Sequence, residues 1–119
     1  MSVGEQFRQS PAVHQAIQSI VGELKSKQAA ISSVRGPSSP EAKLHFEQFL
    51  KDFGTMRGRE LLYAYMGSGL GNGPYVEMID GSVKMDMITG IGVHFFGHSD
   101  PGMVGAARIV YRGVQRDEP

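Results

Sequence analysis

From Val13 the apolar positions return every three or four residues: Val13, Ile17, Ile20, Val21, Leu24 and Ile31, with Gln28 on the same line. That spacing lays one face along a helix. Glu23, Lys25, Ser26 and Lys27 occupy much of the opposite face. Ser10-Pro11 supplies the start, a serine oxygen for a free first-turn amide followed by a proline that has no amide to satisfy. Gly22 weakens the middle by about 1 kcal/mol relative to alanine. Ser32 to Pro40, SSVRGPSSP, reads as a linker. Ser39-Pro40 then repeats the start signal. Ala42, Phe46, Phe49, Leu50 and Phe53 form a second stripe, with Gly54 as the expected stop.

Beyond Pro74 the period falls to two. Tyr75, Glu77 and Ile79 alternate with Val76 and Met78, and Val83, Met85 and Met87 alternate with Lys84 and Asp86. Asp80-Gly81 lies between the runs, where a tight turn needs residues tolerant of positive φ. A β-hairpin is predicted here. Ser99-Asp100-Pro101 opens a last helix with a stripe of Met103, Ala107, Val110 and Val114, and Gln115 to Pro119 read as a frayed end. The expected class is α+β, with a helical segment over 1–54 and a segment over 55–119 that carries the hairpin, a Gly-rich loop and the start of the next helix.

Composition sharpens this division. Glycine occurs 16 times in 119 residues, about twice the usual share of roughly 7%. Eleven of the 16 lie from Gly67 onward, in the turn-rich half. Lys plus Arg and Asp plus Glu each number 12. A chain of zero net charge lacks the cationic surplus that phosphate-driven nucleic-acid binding needs. No apolar run approaches the roughly 20 residues of a membrane span. The N-terminus, MSVGEQFRQS, lacks the apolar stretch of a signal peptide, so a cytoplasmic location is expected. The absence of cysteine excludes disulfides, thiolate metal sites and a thiol nucleophile.

Simple motifs carry little chemistry. Gly67 to Gly73, GSGLGNG, could cradle a phosphate, but a proline and a strand follow it where a helix should, so it reads as a flexible loop. His94 and His98 are four apart, as helical metal ligands would be, yet Gly97 and Pro101 argue against a helix there. His98 is expected to hydrogen-bond backbone in the turn before the last helix. No serine stands in a Gly-x-Ser-x-Gly elbow, which argues against a hydrolytic triad. The seven methionines read as pliable packing.

A longer pattern is more specific. From Gly71 to Pro101 the chain reads GNGPYVEMIDGSVKMDMITGIGVHFFGHSDP. This resembles the opening motif of the class III, fold type I pyridoxal-phosphate aminotransferases, the group of the acetylornithine, ornithine and 4-aminobutyrate enzymes. The matching residues are Gly71, Gly73, Asp80, Gly81, Asp86, Gly90, Gly97, His98 and Pro101, in order. Arg57 to Tyr63 is compatible with the segment leading into the motif, and the resemblance covers roughly residues 55 to 112.

The resemblance implies a transferase that moves an amino group from an amine or amino acid to a 2-oxo acid, with pyridoxal 5′-phosphate as cofactor. Such enzymes run to several hundred residues, and their Schiff-base lysine and most phosphate-binding groups lie downstream of this motif. The chain is therefore expected to be their N-terminal part, not catalytic alone and holding no cofactor by itself. It would be partnered by the remainder of the enzyme or by a second copy in a homodimer. By the same resemblance the substrate-contacting position falls on Ile91. Gly92, Val93 and His94 would line the same mouth, with Tyr63 and Tyr65 approaching from the preceding segment. An aromatic residue holds the Ile91 position in some relatives, so the aliphatic side chain argues against ornithine-like specificity. The alternative is a stand-alone helical and hairpin module that binds a protein partner and makes no bond chemistry.

Overall fold

The computed structural model describes residues 1–110, with side chains through residue 107. In chain order the elements are α1 (Val3–Gln9), α2 (Pro11–Gln28), α3 (Pro40–Arg57), β1 (Gly67–Asn72), β2 (Tyr75–Met78), β3 (Val83–Met85), the short turn α4 (Thr89–Gly92) and α5 (Pro101–Val110). The class is α+β, five helices and one antiparallel sheet of order β1-β2-β3 among the described residues. None of these helices is long and apolar enough to cross a membrane.

The chain divides into two compact units, residues 31–98 and residues 1–30 with 99–119. In the second of these, α2 begins at Pro11 as the sequence predicts, but the Ser10 side chain makes no capping bond. The reason is a helix the sequence reading missed. Ser2 and Glu5 form a reciprocal capping box that starts α1, and the Ser10 amide donates to Phe7 O at 3.2 Å to close it. α2 ends at Gln28, so Ile31 lies beyond the helix, buried at 2% exposure. In α5 the Asp100 carboxylate accepts from the Met103 amide at 2.9 Å, the cap that the Asp-Pro pair promised. The packed face differs from the expected stripe: Met103 is 56% exposed and Ala107 is exposed. Gly105 instead meets α2, where a Cβ would sit 3.4 Å from Val21 and 3.8 Å from Ile17. The side chain of Val110, and Val114 and the 115–119 end, lie outside what is described.

In the unit spanning 31–98, Ser39 caps α3 by accepting from the Ala42 amide at 3.0 Å. The helix runs through Gly54, the expected stop, and ends at Gly58, which is left-handed at φ 91°. Gly54 is buried because Glu60 passes directly over it; a Cβ there would lie 3.0 Å from Glu60 Cα. Phe46 packs with Val76 and Met78 into the core, and Leu50 and Met66 cover its edge. Phe49 stays 42% exposed and stacks on Phe53, with ring centroids 6.2 Å apart.

The hairpin forms as predicted. Tyr75 pairs with Met85, Val76 with Lys84 and Glu77 with Val83, around the Asp80-Gly81 turn. Asp80 is buried and Oδ1 accepts from the Ser82 amide at 2.9 Å and the Ser82 hydroxyl at 2.6 Å. Two additions were not foreseen. GSGLGN is a strand, β1, rather than a loop, joined to β2 with an irregularity between Gly67 and Gly71. The linker, too, is held: Arg35 pairs with Val83 through two backbone bonds of 3.1 Å, and its guanidinium reaches Glu77 at 2.8 Å and Gly81 O at 3.0 Å.

Met78 has no exposure at all and sits on the β2 face that meets Phe46. Met78→Ala should cost about 2–5 kcal/mol, the usual penalty for emptying a buried aliphatic position. Guanidinium unfolding followed by circular dichroism would measure it as a lower midpoint at unchanged slope.

Candidate functional site

The distinctive geometry lies where β3 leaves the sheet. Asp86, one residue past β3, donates its amide to Pro74 O at 2.8 Å and so prolongs the ladder. Its carboxylate gathers the next segment. Oδ1 accepts from the Ile88 amide at 3.0 Å, and Oδ2 accepts from the Gly90 amide at 2.7 Å. His98 Nε2 lies 2.8 Å from the same Oδ2. An ionised carboxylate can only accept, so Nε2 carries the proton and donates. Both side chains are nearly buried, 10% exposed for His98 and 13% for Asp86. The Ile88 amide, followed by the His98 and Gly90 bonds, holds the Asp86 carboxyl below its ordinary value against the opposing effect of burial.

Those bonds hold an unusual backbone. Thr89, Gly90, Ile91 and Gly92 all have positive φ, at 51°, 60°, 61° and 80°. The amides of Gly92 and Val93 donate to Ile88 O and Thr89 O at 3.1 and 3.0 Å. α4 is thus a single left-handed turn. For β-branched Thr89 and Ile91 that conformation costs on the order of 1–3 kcal/mol each.

The return of the chain is equally constrained. The His98 amide donates to Gly73 O at 2.9 Å. Gly97 stands against Gly73, where a Cβ would come within 2.7 Å of Gly73 Cα. A Cβ on Gly71 would collide with His98 Cβ and lie 2.7 Å from Tyr75 O. The His94 ring covers Gly90 and lies 4.2 Å from the His98 ring, tilted by 34°. His98 therefore bonds a carboxylate, not the backbone acceptor expected of its ring. Its Nε2 is engaged by that carboxylate, and the described residues contain no group of three metal-ligating side chains.

The consequence is what the turn displays. Ile91 is 86% exposed, at the rim of an open cleft of about 960 Å³. Tyr63 and Tyr65 line the same cleft with Leu61, Met85 and Ile88. The structure thus brings together Ile91, Tyr63 and Tyr65. Gly92 and Val93 are exposed but do not line that cleft, and His94 faces a separate hollow of about 270 Å³ with Phe95, Phe96 and His98. Arg57, Arg59 and Lys84 also line the large cleft, and the sequence reading did not place them there. No family model, curated protein or solved structure matches the chain.

Two outcomes test the contacts of Asp86 and Gly71. Asp86 has a lowered pKa in the folded chain, so its stabilisation is present above the ordinary aspartate value and lost as pH falls through the lowered one. The Ile88 and Gly90 amide resonances should therefore move together in an NMR pH titration, with a midpoint below 3.8, the unperturbed value. Gly71→Ala should destabilise the chain by about 1–3 kcal/mol, because neither Tyr75 O nor the His98 Cβ can withdraw easily; thermal melts would record it.

Proposed function

We propose that this chain is the N-terminal part of a pyridoxal-phosphate-dependent aminotransferase of class III, fold type I, and that the left-handed turn with its cleft forms one wall of the substrate mouth. The supporting observation is the turn itself. Eight of the nine residues that carry the resemblance, Gly71 through His98, fall in the hairpin and in the contacts that shape Thr89–Gly92 and hold up Ile91. The ninth, Pro101, begins α5. Strained non-glycine backbone of this kind persists where the surroundings over-determine it, and such places cluster at ligand sites.

In this reading the chain orients substrate and performs no bond chemistry. Its residues do not fit the cofactor. All five lysines, Lys25, Lys27, Lys43, Lys51 and Lys84, are exposed, and none has the desolvated setting that would lower an amine toward nucleophilic range. Cofactor attachment, and the reaction from amino donor to 2-oxo acid, would belong to the remainder of the enzyme.

A second reading has its own observation. Met87, Ile88, Phe95 and Phe96 are 65–87% exposed around the turn, as they would be on a module that docks a protein. Intact mass of the purified material and a search for a second polypeptide separate the two, since a companion carrying bound pyridoxal phosphate absorbs in the visible and a simple docking partner does not.

The aminotransferase reading is tested by Ile91→Trp in the enzyme that carries this segment. Overfilling the mouth should raise KM several-fold, or lower kcat/KM, with the cofactor absorbance intact. Unchanged kinetics with several donors would remove Ile91 from the site.

A further inference from the structure

We propose that the cleft between Arg57 and Ile91 binds an amphipathic organic anion, an apolar body of aryl or alkyl-chain size ending in a single carboxylate. At about 960 Å³ the cleft is of small-molecule size. Its body is apolar: Leu61, Leu62, Met85, Met87, Ile88 and Val76 line it beside the two tyrosines. Leu62 and Met87 are left 87% and 81% exposed, surface that a ligand chain would remove from water.

The charge comes from the rim. Arg57, Arg59 and Lys84 face two carboxylates, Glu60 and Asp86. Asp86 is already committed to the Ile88 and Gly90 amides and to His98. Arg57 is pinned, its Nη1 donating to Arg59 O at 3.3 Å and Glu60 O at 3.2 Å, which fixes a guanidinium at the entrance without neutralising it. None of the three cations forms an ion pair among the described residues. A carboxylate can bridge such groups, and Arg offers it a paired N–H fork. The competing attraction is that of the tyrosine faces for a cation, which would favour an amine of the same shape. The inference rests on the cleft being the substrate-facing surface, and names the ligand class for it.

The test uses the full 119-residue chain, 15N-labelled, titrated with 4-phenylbutyrate and with 4-phenylbutylamine, which share one body and carry opposite charges. Saturable shifts confined to residues 57–65 and 84–91 are expected with the carboxylate, and affinity for the amine should be lower by about fivefold or more. The double variant Arg59→Gln, Lys84→Gln should bring the two probes to equal affinity. Raising NaCl from about 20 to about 500 mM should weaken the carboxylate alone, a readout that needs no variant. Equal binding of both probes to the unaltered chain, preference for the amine, or shifts that spread without saturating would overturn the proposal. The titrations read binding alone and no amino transfer, so these results leave the aminotransferase reading to the Ile91→Trp kinetics.

Discussion

The carboxylate of Asp86 is the point on which the loop between β3 and His98 depends. Through one side chain it joins the end of β3, the left-handed turn and the returning His98. Charge-assisted hydrogen bonds contribute about 1.5–3 kcal/mol each, and three of them converge on this carboxylate. The strain they oppose, two β-branched residues with positive φ, is on the order of 2–6 kcal/mol. The bonds outweigh the strain by only a few kcal/mol. The turn is therefore held by one residue, and the loss of that residue should release it while the hairpin, whose core lies at Phe46, Val76 and Met78, stays paired.

The glycines act in concert with Asp86 by allowing approach. Gly71 admits His98 against the sheet, Gly97 admits the returning backbone against Gly73, and Gly90 lies beneath the His94 ring. A side chain at any of the three would displace a histidine or the backbone that carries it. This gives the long sequence pattern a physical meaning that does not depend on chemistry. Glycine, aspartate and histidine at those spacings together specify one loop conformation, and the loop is what brings Ile91 to the cleft.

Much of the fold was legible because local signals agreed with one another. The Asp80-Gly81 turn sat between two runs of period two, and the Ser-Pro pairs stood at the true starts of α2 and α3. The errors have definite causes. β1 is half glycine and carries almost no apolar alternation; it is a strand because β2 offers a ladder, a tertiary cause invisible in its own residues. Gly54 signalled a stop but lies inside α3, where its value is to let Glu60 pass close by. α1 is legible from Ser2 and Glu5, which stand three apart as a capping box. Of the site, Ile91, Tyr63 and Tyr65 were reached through the resemblance. The cations were not, because Arg57, Arg59 and Lys84 come from a helix end, a loop and a strand that only the fold brings to one cleft.

The exposure of Ile91 is the feature that ties energetics to function. A left-handed β-branched residue gains nothing from its own backbone, and at 86% exposure its side chain gains little from burial. Glycine at this position would relieve the strain, and a polar residue would remove apolar surface from water. The strain is instead sustained by Asp86, His98 and the glycine contacts. Several strong hydrogen bonds thus hold an apolar side chain out over a cleft, the geometry on which the proposed substrate mouth rests. The cations at its rim bear on the proposed ligand class, since an apolar surface alone would accept acid and amine alike.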